Sequence, residues 1–232
     1  FFFHPHAGNR DSVASRGLGD VYKRQVYGMN SLREHICTRL ATVQVDTDPF
    51  ARLLRDVEGT PPQSFIDNYK KDPNPAAVLV GLVERPIGLT MLFTERSVHL
   101  KDHPGQVSFP GGRIEKHDAG PAEAALREAE EEVGLDPKHV SVAGYLERLP
   151  TSSGFVVTPV VAFISSEFQP EPDNAEVLEA FEVPLEFLAN QQNRKIAYRE
   201  RFGARLHGYE IEYDGHKIWG VTASILVRFL DL

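Results

Sequence analysis

One cysteine, Cys37, in 232 residues excludes an internal disulfide framework and any cysteine-rich zinc site, and it fits a reducing interior. Long apolar runs are missing as well: none approaches the roughly 20 residues needed to span a bilayer. The opening Phe1-Phe2-Phe3 has neither the basic start nor the length of a secretion signal. Basic charge is also short. With 25 lysines and arginines against 33 acids the formal net charge is −8, so the footprint of a phosphate-backbone binder is lacking and no nucleic-acid partner is expected. No internal repeat or low-complexity tract occurs. The expectation is a soluble, cytoplasmic protein with no membrane partner, large enough for one domain with a substantial core.

What is present centres on Gly105 to Leu135, GQVSFPGGRIEKHDAGPAEAALREAEEEVGL. A turn-forming Phe109-Pro110-Gly111-Gly112 precedes a loop and then a helix crowded with carboxylates. Pro121 suits the first helical position and Gly134 the stop, which predicts a helix over Pro121 to Val133, about 20 Å long. On a helical wheel Ala122, Ala125, Leu126, Ala129 and Val133 form the buried stripe. Glu128, Glu131 and Glu132 gather on another side at i, i+3 and i+4, where like charges oppose one another by about 0.2–0.5 kcal/mol per pair. Arg127 reaches Glu131, but one guanidinium cannot neutralise three acids. A hard divalent cation with oxygen ligands is the natural complement. Glu123 and Glu130 read as solvated surface.

The remaining chain reads as alternating helices and strands. Short helices are expected over 30–40, from Asp48-Pro49 and from Ser64, with packing as their role. Ala76 to Val83 is a nearly unbroken apolar run, hence a central strand covered on both faces. Ile87 to Thr94 returns as its hairpin partner. Val140 to Leu146 and Phe155 to Ile164 are strand-like. In the strand from Glu176 to Val183, Glu179 shares the inward parity of Val177, Phe181 and Val183, which makes it either a rim residue or an extra ligand or base. Pro184 to Ala189 predicts a short helix. Asp214-Gly215 marks a hairpin between Tyr209 to Tyr213 and His216 to Trp219, with Trp219 as a core anchor. A last helix from Val221 buries Ile225, Leu226 and Phe229.

The glycine turn, spaced acid and Arg-Glu-Ala-x-Glu-Glu-x-Gly-Leu run resemble the Nudix box, with Gly112, Arg127, Glu128, Ala129, Glu131, Glu132, Gly134 and Leu135 in its positions. The first acid is Asp118 rather than glutamate, with one extra residue before Arg127. A second resemblance, to the coenzyme A pyrophosphatases of that family, runs through Phe93-Thr94-Glu95-Arg96-Ser97, Leu100, His103, Gly105-Gln106-Val107 and Phe109 to Gly112. The resemblance implies an α/β/α sandwich around a mixed β-sheet, with N-terminal helices over 29–75 and the core over 76–232. It implies metal-dependent hydrolysis of coenzyme A or its thioesters to 3′,5′-ADP and 4′-phosphopantetheine. Glu128, Glu131 and Glu132 would be metal ligands, helped by a backbone carbonyl at Gly111 or Gly112. Arg127 would orient a glutamate through a charge-assisted bond. The base that takes the proton of water stays open between Glu128 and a loop acid. Arg96, Lys101, His103, Gln106 and Arg113 would grip a polyanionic substrate.

Two other readings stand beside this one: a Nudix enzyme for another nucleoside diphosphate link, such as ADP-ribose or a dinucleotide, and a non-catalytic nucleotide-binding module. The sequence leaves a homodimer open.

Residues 1–28 do not read like the rest. They are rich in Gly, Ser, Arg and His without period, and SRGLGDVYKRQ looks like translated adapter sequence. A protein starting at Met29 is expected. An intact-mass measurement of the cellular protein should match that start, and a mass that includes the preceding residues refutes it.

Overall fold

The computed structural model describes residues 28, 30–45, 48–69, 74–100, 103–201 and 203–232. The first 27 residues, and with them nearly all of the leader, lie outside the described residues, as does Met29.

Helix α1 covers 30–40. Short helices α2 (Pro49–Leu53) and α3 (Gln63–Tyr69) follow. Strands β1 (Asn74–Arg85) and β2 (Gly88–Arg96) form the expected hairpin, Arg85 opposite Gly88. The Ala76 to Val83 run lies inside β1 and is buried apart from a half-buried Val78, as a strand covered on both faces requires. Two short strands, β3 (Val107–Ser108) and β4 (Gly111–Arg113), precede helix α4 (Pro121–Val133). Strands β5 (Val140–Tyr145), β6 (Leu149–Pro150), β7 (Phe155–Ile164) and β8 (Val177–Pro184) lead to helix α5 (Leu185–Ala189). The chain closes with β9 (Arg194–Arg201), β10 (Ala204–Tyr213), β11 (His216–Trp219) and helix α6 (Gly220–Leu230).

Eight strands make one mixed sheet with the path β3-β2-β1-β7-β5; β4 pairs with β1, β6 with β7 and β8 with β2. Only the β1–β7 pairing is parallel; every other pairing in the sheet is antiparallel. The result is the α/β/α sandwich. Alternate side chains of β1 divide between two cores: Ala77, Leu79 and Val83 pack against α4, while Ala76, Val80 and Leu82 join Ile36 and Leu40 of α1 and Ile225, Leu226 and Phe229 of α6. Arg33 fastens α1 further, with Nη1 donating to Glu84 Oε1 at 2.7 Å and its guanidinium 4.3 Å from the Phe163 ring centroid.

Several expectations change. Gly111 and Gly112 enter the sheet as β4 against β1 instead of forming only a turn. The buried stripe of α4 is rotated: Ala124 and Glu132 are buried, while Ala122 and Leu126 are half-buried, because the helix turns its acids beneath the glycine strand. A three-stranded sheet, β11-β10-β9, stands beside the first, and its strand β9 was not read from the sequence. The N-terminal segment meets this second sheet: Val57 bridges to Leu206, and Glu58 N donates to Arg205 O at 2.8 Å.

At the end of the main sheet Arg85 joins three segments. It donates to Glu182 Oε1 at 2.6 Å and Oε2 at 3.1 Å, and to the carbonyls of Ser166 at 2.7 Å and Phe168 at 2.9 Å. Burial alone would raise the Glu182 carboxyl; bonds from Arg85 and Thr90 outweigh it and hold the group below the usual carboxylate range. A depressed carboxyl stabilises the fold above its unfolded pKa and loses that contribution as pH falls through the folded value. Glu182→Gln should therefore cost about 2 kcal/mol at pH 7, or about 4–8 °C in Tm, with the gap to wild type narrowing below pH 4. Thermal unfolding of both proteins across that range checks this, and a gap that stays constant with pH refutes it.

Candidate active site

The site begins with a close approach. Gly111 has φ of 153°, and a Cβ there would lie 2.3 Å from Ala77 O and 2.6 Å from Val78 Cα. Gly112 meets a different obstacle: its Cβ would lie 2.4 Å from Glu128 Oε1 and 2.6 Å from Oε2. Only glycine lets β4 pass between β1 and α4 at this separation. The Gly111 N–H donates to Glu132 Oε2 at 3.3 Å, so the strand backbone touches both acids of the helix.

Those acids differ in surroundings. Glu132 is 4 % exposed. Burial pushes its carboxyl up to about 8, with Glu128 and Glu176 adding to the rise and Arg96 and the Gly111 N–H opposing it. Glu128 is half-buried, and burial raises it too, against the pull of Arg127. The Glu131 side chain is 61 % exposed, so it faces water at the helix edge.

Arg127 organises the group. Its Nε and Nη2 grip both oxygens of Asp118 at 3.1 and 3.2 Å, and Nη1 donates to Glu128 Oε1 at 3.0 Å and Glu131 Oε2 at 3.3 Å. Nη2 also donates to the carbonyl of Arg113 at 3.1 Å. The Asp118 side chain is 1 % exposed, and Arg127 holds its carboxyl below the usual range. Asp118 thus anchors the arginine from the loop before α4, where the sequence left its role in doubt. The Arg127 contact to Glu128 is the orienting bond expected of it.

Among the described residues no group of three or more His, Cys, Asp or Glu side chains is drawn together as a ready metal cage. The donor set nonetheless suits a hard cation. Mg²⁺ takes one or two protein carboxylates and completes its shell with water and substrate oxygens. Glu128 and Glu132, one turn apart against the backbone at Gly111 and Gly112, supply such a pair. The buried Glu132 carboxyl, opposed by its acidic neighbours, is a group that a cation would stabilise as an anion.

The other expected residues separate into groups. Arg96, His103 and Gln106 line one cleft with Gly111, a cavity of about 380 Å³. His103 Nδ1 pairs with Gln106 Oε1 at 3.0 Å, and the backbone N–H of Arg96 donates to Gln106 O at 3.0 Å. Arg113 is turned elsewhere, its guanidinium 5.3 Å from the Phe155 ring centroid. Lys101 lies outside the described residues. Glu179 is an exposed rim residue whose Oε2 is 3.8 Å from His216 Nε2, and His216 Nδ1 pairs with Glu95 Oε2 at 2.9 Å. Sequence reading missed Glu176. It follows the polar, proline-bearing connector over 169–174; Ser97 N donates to Glu176 O at 2.9 Å and Asp173 N to Glu132 O at 3.0 Å. These bonds bring the connector to the acid end of α4.

Two adjacent single-carbon substitutions should separate stability from activity. Gly112→Ala displaces only the far end of a flexible side chain, so it should fold normally and lose about 100-fold in kcat/KM through the moved Glu128. Gly111→Ala strikes backbone at a φ that L-residues rarely adopt and should cost about 2–3 kcal/mol of stability. Melting curves and steady-state kinetics on the pair check this; equal loss of Tm in both variants counts against it.

Comparison with known proteins places the chain in a family. The NUDIX domain family model matches residues 73–202. The chain is 42 % identical over 151 residues to "Uncharacterized Nudix hydrolase NudL" of Pectobacterium atrosepticum, covering 65 % of this chain and 78 % of that protein. It is 38 % identical over 169 residues to "Nudix hydrolase 15, mitochondrial" of Arabidopsis thaliana, covering 70 % of this chain and 59 % of that protein. A solved structure of the Nudix hydrolase RenU from M. smegmatis superposes with a TM-score of 0.44 at 24 % identity, over 51 % of this chain and 74 % of that one. The chain belongs to the Nudix family and is a pyrophosphohydrolase of nucleoside diphosphate derivatives.

Proposed function

We propose that the protein hydrolyses the pyrophosphate link of coenzyme A or its thioesters, releasing 3′,5′-ADP and the 4′-phosphopantetheine moiety, with Mg²⁺ or Mn²⁺ as cofactor. The observation that carries this reading is the convergence of Arg96, His103 and Gln106 with Gly111 on one cleft. These are positions of the segment that resembles the coenzyme A pyrophosphatases, and the cleft adjoins the Glu128 and Glu132 pair. A single cysteine keeps the proposed location cytoplasmic and reducing.

Hydrolysis of a diphosphate is slow because the attacking oxygen meets negative charge. Glu128, Glu131 and Glu132, with a carbonyl of Gly111 or Gly112, would hold a divalent ion, which would supply charge neutralisation and a more acidic water. The chain's own residues do the positioning. Arg127, fixed by Asp118, sets the orientation of Glu128. Arg96, beside Glu132, offers donors to phosphate oxygens, and His103 and Gln106 hold the substrate at the cleft mouth. Glu128, or Glu176 on the connector, takes the proton of the attacking water.

A different nucleoside diphosphate such as ADP-ribose would present the same link to the same acids, so products decide between them. With coenzyme A, ADP-ribose and dinucleotides at millimolar Mg²⁺, chromatography should show 3′,5′-ADP from coenzyme A as the fastest product, abolished by chelator. Preferred cleavage of another substrate overturns the coenzyme A reading, and binding without any turnover points to a non-catalytic module. Glu131→Gln and Glu132→Gln should lower kcat by about 100-fold or more without lowering Tm. For Glu132 the neutral amide replaces a carboxyl that burial already pushes toward its neutral form, up to about 8. Retained turnover in both variants would falsify the ligand assignment.

A further inference from the structure

The cleft has a second wall, built by the β9–β11 sheet and α6, that hydrolysis of a diphosphate does not require. Arg199 on β9, His207 on β10, Trp219 at the end of β11 and Arg228 on α6 all line it. With Arg96 and His103, which also line it, three guanidiniums and two imidazoles share a cavity of about 380 Å³. Among the described residues Asp56 is the one carboxylate lining it. In a chain with net charge −8, this local excess of cations runs against the overall balance.

The cations on this wall are held in place. Arg199 Nη2 donates to Glu210 Oε1 at 2.7 Å, and its guanidinium lies 4.1 Å from the Trp219 ring centroid. Glu210 also receives Lys217 Nζ at 2.7 Å, so two cations share one anion and the trio stays positive. Arg228 Nη2 meets Asp56 Oδ2 at 3.3 Å, with the Arg228 side chain 11 % exposed. Guanidiniums fixed in this way have already lost rotamer freedom, which lowers the entropic cost of binding an anion, and the planar guanidinium fork matches the geometry of phosphate oxygens. Arg96 already serves the diphosphate beside Glu132. Arg199 and Arg228 come from other elements and answer to a different charge.

We propose that this wall binds a phosphate monoester carried by the substrate in addition to the diphosphate that is cut, held by Arg199 and Arg228 with the adjoining nucleoside against Trp219. The identity of the whole substrate rests on the coenzyme A reading: coenzyme A carries a monoester on its ribose, and ADP-ribose does not. The wall then sets which diphosphates are accepted, while α4 carries out the chemistry.

Trp219 is the single tryptophan of the chain, so its emission reports on this cleft. The test titrates the full chain, without metal, with adenosine 3′,5′-bisphosphate and with adenosine 5′-diphosphate, which has similar charge but no ribose monoester. Calorimetry on the same samples gives the affinities if emission is silent. The bisphosphate should bind about tenfold tighter or more. Arg199→Gln, whose side chain is 37 % exposed and whose loss leaves the fold intact, should reduce that preference to about twofold or less, and Arg228→Gln should do the same where it folds. Equal affinity for the two nucleotides in wild type overturns the proposal, and so does a preference that survives in Arg199→Gln. These binding readouts need no turnover. A clear bisphosphate preference without coenzyme A cleavage refutes the proposed activity and leaves this site standing; cleavage without the preference does the reverse.

Discussion

The separation between β4 and α4 governs this molecule. A three-residue strand, Gly111–Arg113, pairs so closely with the start of β1 that a Cβ at Gly111 would meet the β1 backbone, and α4 packs over it so that a Cβ at Gly112 would displace the Glu128 carboxylate. That closeness buries Glu132, brings Glu128 against Gly112, and places backbone polar groups within reach of both acids. A wider gap would admit water, relax the carboxyls toward their ordinary pKa values and scatter the ligands. The opposing cost is a buried acid that, among the described residues, has Arg96 nearby but no ion pair, since Arg127 is committed to Asp118, Glu128 and Glu131. Burial of an uncompensated carboxyl is among the more expensive features a fold can retain. In enzymes of this family a divalent ion meets that need.

Asp118 explains how the arrangement persists between encounters with an ion. Three neighbouring acids along one helix repel, and a lone arginine on the same helix would sample several partners. A carboxylate from the preceding loop fixes the guanidinium bidentately, so Arg127 points at Glu128 through geometry set outside the helix. The extra residue between Gly112 and Arg127 relative to the family pattern is accommodated in this loop, which leaves the acid as an anchor for the arginine.

Much of this was legible in the sequence because it rests on local rules. Pro121 and Gly134 bound α4 at the residues expected, and Asp214-Gly215 turns its hairpin where the turn chemistry demands. The apolar continuity of β1 revealed a strand buried on both faces. The failures come where tertiary contacts override periodicity. The wheel placed Leu126 in the core and left Ala124 out, since it could not know that the acid face turns inward beneath the glycines. β9 escaped notice because RKIAYRER is dominated by charges whose partners are distant in sequence, across the sheet for Arg199 with Glu210 and after α6 for Arg194 with Asp231. Glu176 gave no signal, since its importance comes from backbone bonds that draw a connector onto α4 and β2.

Reaction and recognition fall on different parts of the chain. The acids, Arg127 and the glycine strand lie inside the residues matched by the family model, 73–202, whereas Trp219 and Arg228 lie beyond it and Asp56 precedes it. Contacts remote from the breaking bond bind ground state and transition state alike, so they govern which substrate occupies the site, whereas groups at the reacting centre govern the rate. The wall draws on residues outside that span as well as on Arg199 within it, so its side chains can change without disturbing the packing that holds Glu128 and Glu132. Gly111 in that packing meets backbone and tolerates no added carbon, whereas the wall's arginines are secured by side-chain ion pairs, Arg199 to Glu210 and Arg228 to Asp56, that substitutions on either side can retune.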